Sequence, residues 1–309
     1  MLQDVVNEYI TSLAAKEYGS NQNTIVAYRN DLNQLCVYLK QQEIDNWSLV
    51  TQEHLAGYLL EMREEQAYRP TTIARKFAAC KSFFRYLHDT VGIAINPLDR
   101  LEAPRIQRYP PRVLTAEQIA RLFLQVETET VVGQRDLAML HMLLATGMRA
   151  SELVSLDLED FDAEHATVFC LGHNGRSRRK RLLPLHSLAV AVTQSYLENV
   201  RPHLIRHSEE RALFLNHRGD RLTRQGFWLI IKGYARQTGI VSITPHMLRH
   251  ACAVLMLKDG MELRSVQELL GHAHISSTQV YSQFMHTEVA SSGNYSMPSN
   301  RCGADAQGN

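Results

Sequence analysis

The chain of 309 residues sets 33 lysines and arginines against 32 acids, a formal net charge of +1, with 45% hydrophobic and 21% charged residues. That length holds two domains with separate cores, and that balance excludes a disordered polyelectrolyte. A near-neutral total also means that any nucleic-acid surface must come from local basic clusters offset by acids elsewhere.

The first hundred or so residues read as all helix. Val6, Tyr9, Ile10 and Leu13 make one apolar stripe; Ile25, Tyr28, Leu32, Leu35 and Leu39 make a second. Leu55, Tyr58, Leu59 and Met62 make a third. After Pro70, which suits a helix start, Ile73, Phe77, Cys80, Phe84 and Leu87 make a fourth. Four short amphipathic helices must bury their stripes against one another, which predicts a compact helical domain over 1–96. Arg75, Lys81 and Arg85 lie off the fourth stripe. On the residues alone, a solvated face is the simpler account of them.

The segment NPLDRLEAPRIQRYPP, with Pro97, Pro104, Pro110 and Pro111, forbids a regular helix and reads as a stiff linker over 97–113. A second domain is predicted over 114–290. It opens with a helix over Thr115–Val126, where TAEQ has the capping-box pattern, and a buried helix over Arg135–Thr146 that Gly147 stops. Thr167–Leu171 and Arg181–Leu185 read as strands joined by a basic loop with a turn signal at Asn174–Gly175. Helices follow over Leu185–Val200 and Arg224–Gln237. The tail over 291–309 is rich in Gly, Ser and Asn and is expected to be flexible.

Chemistry concentrates between Thr244 and Phe284. His246 and Arg249 are three apart and share a helix face. Breaks at Lys258–Gly260 and Leu270–Gly271 cut the stretch into short helices, which lets His272 and Tyr281 fold back toward that face. Two histidines, an arginine and a tyrosine make a poor metal site, and no metal or cofactor is expected. They suit one phosphate attacked by a phenol. There are 12 tyrosines, so Tyr281 is singled out by its spacing to His272 alone.

HMLRH at 246–250, LLGHAHISSTQVY at 269–281 and ATGMRASEL at 145–153 together resemble the tyrosine site-specific recombinases of the phage-integrase family, and within it the bacterial Xer type. NTIVAYRNDLNQL, RPTTIARKFAACKSFFRYL and LTRQGFWLIIKGYARQTGI extend the resemblance over nearly the whole chain. It implies a mostly α protein with a small β hairpin, a helical core-binding domain followed by an α+β catalytic domain. It also implies a DNA strand transferase that cleaves and rejoins through a 3′-phosphotyrosine without metal or ATP. Tyr281 is then the nucleophile, and Arg149 and Arg249 neutralise the phosphate oxygens. His272 is a further donor, His246 the proton acceptor or orienting group near Tyr281, and Glu152 a support for Arg149 or the hairpin. His250 and His274 fall outside the motif and read as structural or surface residues.

The family's hairpin lysine, which protonates the leaving 5′-oxygen, is missing here. Counting from Arg149 puts His173 at its position, with Lys180 as the alternative. Arg69, Arg75, Lys76, Lys81 and Arg85 in the first domain, and Arg176, Arg178, Arg179, Arg224, Lys232 and Arg236 in the second, become expected DNA contacts.

The implied partners are double-stranded DNA at specific sites, a homo- or hetero-tetramer with a related recombinase, and a DNA-translocase activator. Chromosome or plasmid dimer resolution, tied to cell division and chromosome partition, is the role the Xer resemblance favours. A mobile-element integrase or resolvase, a type IB topoisomerase and a catalytically retired DNA-binding descendant are the alternatives. The start MLQDVVNEYI lacks a signal peptide's basic and apolar regions, and no apolar run nears the roughly 20 residues that cross a bilayer. Cys36, Cys80, Cys170, Cys252 and Cys302 are scattered without CxxC spacing, the first four among apolar neighbours. A reduced cytoplasmic protein is expected.

Overall fold

The computed structural model describes residues 1–15, 22–93, 96–102, 110–172 and 180–284. They fall into two compact units, one up to Tyr109 and one from Pro110 on.

The first unit is built from α1 (Leu2–Ala15), α2 (Gln22–Gln41), α3 (Gln52–Glu64) and α4 (Pro70–Tyr86). The stripes read from the sequence are its core: Val6, Leu32, Leu35, Leu39, Leu55, Met62, Phe83 and Phe84 are all buried. Trp47, on a single turn between α2 and α3, wedges edge-on against Phe83 at 4.7 Å and donates its indole N–H to the Leu2 carbonyl at 3.0 Å. Boundaries follow local chemistry. Thr51 accepts from the His54 N–H while His54 returns the bond to the Thr51 N–H, and Pro70 opens α4 behind an extended Arg69.

The second unit surrounds α6 (Val131–Thr146), whose last nine residues are all buried. Ahead of it, α5 (Ala116–Leu124) starts at the capping box predicted from TAEQ, with Thr115 accepting from the Gln118 N–H. The short α7 (Ala150–Val154) follows. Next comes an antiparallel sheet of β1 (Phe161–Asp162), β2 (Thr167–Leu171) and β3 (Lys180–Pro184), in that order. Pairing Phe169 with Leu182 and Cys170 with Arg181 turns Val168, Cys170 and Leu183 inward. The chain then runs through α8 (Ser187–Asn199), α9 (Arg201–Leu204), α10 (Arg224–Gln237), α11 (Pro245–Lys258), α12 (Leu263–Leu270) and α13 (Ser276–Gln279). Buried Arg135 bonds Asp136 and the Leu215 carbonyl, and Tyr234 donates to Asp136 at 2.8 Å, which ties α6 to α10.

The fold is mostly helical with a small sheet, as predicted, but differs in detail. The hairpin gains β1 as a third strand. The second predicted strand begins one residue early, at Lys180, the helix after it starts two residues late, at Ser187, and a short unpredicted helix, α9, follows it with Pro202 in its first turn. Cys36, Cys80, Cys170 and Cys252 are buried free thiols. Among the described residues no helix is long and apolar enough to cross a membrane. His173, Arg176, Arg178, Arg179, part of the linker and the tail lie outside the described residues.

Candidate active site

The site forms where helix ends meet. Gly147 (φ 60°) ends α6, and Gly271 (φ 66°) ends α12, both left-handed, a conformation that costs other residues energy. A side chain at either would also displace a neighbouring side chain. A Cβ would fall 2.6 Å from Leu270 at Gly147, and 2.4 Å from the Arg181 guanidinium at Gly271. Thr244 and Pro245 start α11, with Thr244 accepting from the Met247 N–H, and this helix carries His246, Arg249 and His250 into the same region.

Arg249 is buried and donates to the Gly147 carbonyl at 2.8 Å and the Leu270 carbonyl at 2.7 Å. These are carbonyls at helix C-termini, where partial negative charge accumulates. Neutral oxygens hold the guanidinium without cancelling its charge. Burial, then Arg149, lowers its pKa to about 10, so it stays cationic at neutral pH. Arg149 bonds Glu152 at 2.9 Å and reaches the Gly271 carbonyl at 3.5 Å.

Glu152 has a wholly buried side chain. It accepts from the Arg149 N–H at 2.8 Å, lies 2.9 Å from the Arg181 guanidinium on β3, and 4.0 Å from that of Arg249. Burial by itself pushes this carboxyl up, but Arg181, the Arg149 N–H, Arg149 and Arg249 together hold it below its ordinary value. Three cations around one anion leave the cluster with surplus positive charge. Arg181 also donates to the Leu269 carbonyl at 2.7 Å and so pins β3 to α12. In the sequence Arg181 reads only as the first residue of a strand.

Tyr281 lies after α13, 2% exposed, with its ring stacked 6.3 Å from that of His272. His272 Nδ1 meets the Thr278 hydroxyl at 2.9 Å, which fixes the ring. The histidine beside the phenol is not the expected His246. His250 Nδ1 is 2.6 Å from Tyr281 Oη, whereas His246 is exposed, with its ring 6.4 Å from that of His250. One helical turn separates the two histidines, and that spacing was the available signal. Burial above all lowers His250 and His272 to about 4; partial desolvation, then Arg249, Arg224 and Arg149, holds His246 below its ordinary value although one side of it is exposed, so all three are neutral at pH 7. Burial pushes the Tyr281 phenol up. His274 is exposed, as expected.

The expected DNA contacts divide. Arg69, Lys81, Arg85, Arg224 and Arg236 are exposed, and Lys232 lies over the Trp228 ring at 4.8 Å. Lys76 departs from the expectation. Its ammonium is buried 3.4 Å from Asp31, bonded to Gln34 and over the Tyr68 ring at 5.0 Å. A phosphate contact there would break a buried ion pair. Arg75 is exposed and also bonds Asp31. Lys180 is exposed at the start of β3.

Residues 112–287 match the phage integrase family and residues 6–90 its N-terminal SAM-like domain. The tyrosine recombinase XerC of Roseiflexus sp. is 44% identical over 292 residues, covering 94% of this chain and 92% of that one. The tyrosine recombinase XerD of Listeria monocytogenes is 38% identical over 283 residues, covering 91% and 94%. In fold, the chain is similar to the XerH site-specific recombinase in its post-cleavage complex with a palindromic difH substrate, with TM-score 0.70, 19% identity and 92% of each chain covered. The chain therefore belongs to the phage integrase family. Within that family it is a tyrosine recombinase, an enzyme of site-specific recombination.

Proposed function

We propose that this recombinase cuts and reseals DNA through a 3′-phosphotyrosine on Tyr281, and that it serves the Xer-type role of resolving chromosome or plasmid dimers. The observation that carries the chemistry is the convergence of Tyr281, His272 and two arginines whose charge is not fully compensated. Attack by Oη on phosphorus forms the O–P bond and releases the 5′-oxygen, storing the phosphodiester energy in the covalent link. Arg149 and Arg249 neutralise the charge that develops on the non-bridging oxygens. His272 Nδ1 is held by the Thr278 hydroxyl, which leaves Nε2 to face the phosphate, and in the tautomer that carries its hydrogen on Nε2 the ring is a third donor. Glu152 positions Arg149, Arg181 and Arg249 together. His173 protonates the leaving oxygen, with Lys180 as the alternative donor.

The partners in this reading are duplex DNA bearing the recombination site, a tetramer of this chain alone or with a related recombinase, and a translocase that activates it. Identities of 36–44% to the XerC and XerD recombinases over most of the chain favour the Xer role over a mobile element. The test uses a nicked suicide duplex built on the site that the wild-type protein selects from random-sequence DNA. Wild type should form a covalent adduct, and Tyr281→Phe should bind the same duplex without one. An adduct from that variant, mapped to another tyrosine, overturns the assignment.

A further inference from the structure

We propose that His250, through Nδ1, is the catalytic base that takes the proton of Tyr281 as it attacks and returns it when the strand is resealed. This rests on Tyr281 being the nucleophile. Three observations carry it. Nδ1 of His250 is 2.6 Å from Oη, within reach of direct proton transfer. The rings lie 5.5 Å apart and tilted by 49°, so the contact is a hydrogen bond at the ring edge and not a face-to-face stack. Tyr281 is 2% exposed, which limits water as an alternative acceptor.

The surroundings keep that lone pair available. His250 faces His246 and Arg249 on its own helix, Tyr281 beyond α13, and His272 beyond α12. Burial comes first, then His246 and Arg249, in disfavouring the imidazolium, so the ring is neutral at pH 7. Because Nδ1 accepts, the neutral ring carries its hydrogen on Nε2. The negative charge of a phosphodiester brought to the arginines raises the ring's basicity, and the phenol grows more acidic as its oxygen bonds phosphorus.

The step balances without a further reactant. The Oη–H proton moves to the Nδ1 lone pair, an Oη lone pair forms the bond to phosphorus, and the P–O5′ electrons leave on the 5′-oxygen. That oxygen takes its proton from the hairpin acid. In the reverse direction a 5′-hydroxyl attacks, returning its proton to the hairpin group, and the imidazolium reprotonates Oη as the Oη–P bond breaks. His246, previously the expected acceptor, is left to orient the phosphate beside Arg224 and Arg249, whose charges bear on it.

The test measures single-turnover adduct formation on the nicked suicide duplex, from about pH 6 to about pH 9.5, for wild type, His250→Asn and His250→Ala. Asparagine keeps an acceptor near the Nδ1 position but takes no proton, so it preserves a purely structural hydrogen bond. Both variants should be slower by about 100- to 10,000-fold at pH 7. The deficit should shrink by about tenfold per pH unit as hydroxide replaces the base, and added imidazole should partly restore His250→Ala. A His250→Asn variant at wild-type rate overturns the proposal, as does a pH-independent deficit that imidazole leaves unchanged. If His250→Ala does not fold, the asparagine variant decides alone. Wild type forming no adduct at Tyr281 overturns the parent reading and this one together; an adduct in wild type and equally in His250→Asn overturns only this one.

Discussion

Replacing Glu152 by glutamine removes the one negative charge among Arg149, Arg181 and Arg249 while keeping the side chain's shape. The carboxylate has no solvent exposure and lies 2.9, 2.9 and 4.0 Å from the three guanidiniums. Breaking a buried ion pair from one side costs about 3–5 kcal/mol, because the remaining charges stay buried without compensation. For a unit of this size, each kcal/mol moves Tm by about 2–4 °C, so Glu152→Gln should melt about 6–20 °C lower at pH 7. Circular dichroism melting of both proteins across pH is the assay. The folded carboxyl titrates below its ordinary value, so its contribution is complete above about pH 4.5 and disappears as pH falls through the lower folded value. The gap between the two proteins should therefore close in acid. A difference under about 2 °C at pH 7, or a gap that persists in acid, would refute the view that Glu152 holds the arginine cluster together.

Other outcomes follow from the same geometry. Arg249→Ala should slow adduct formation by about 100-fold or more, and Arg249→Lys should restore little, since an ammonium lacks the planar fork that spans the Gly147 and Leu270 carbonyls; recovery in the lysine variant argues against that positioning. Lys76→Ala should lower the melting temperature of the N-terminal unit with little change in the salt dependence of DNA binding, whereas Arg85→Ala should reduce the salt slope by about 1; the opposite pattern would place Lys76 on the DNA. With sulfur replacing the bridging 5′-oxygen, His173→Ala should return toward wild-type rate and Lys180→Ala should not, and the reverse pattern moves the acid to Lys180. The family resemblance implies that the segment around residues 284–289 docks on a neighbouring protomer, so deletion from Phe284 onward should leave single-site binding intact but weaken paired-site synapsis, and an unchanged recombination rate counts against that docking.

The helical stripes were legible because burial there is periodic: Leu32, Leu35 and Leu39 fall on one face whatever surrounds them. The capping box at Thr115 and the stops at Gly147 and Gly271 were legible because they are set by neighbouring residues. Tertiary partners were not. Lys76 sits among exposed-looking basic residues in sequence, yet its neighbours Asp31 and Gln34 come from another helix, more than 40 positions away. His250 and Tyr281 are 31 positions apart, and only the path of α12 and α13 brings them to 2.6 Å. Arg181 likewise acquires its partners from α7 and the end of α12.

Each of the two arginines assigned to the phosphate reaches the carbonyl of a glycine that ends a helix, Arg249 that of Gly147 and Arg149 that of Gly271. The position of the chemistry is thus written partly in main-chain atoms at residues that have no side chain to mutate away. In a saturation scan, substitutions at these glycines would be expected to group with those at Arg149 and Arg249, as inactive proteins that still fold, and not with ordinary loop positions. A redesign that redrew these two turns for stability would move the reactive groups without altering any of them.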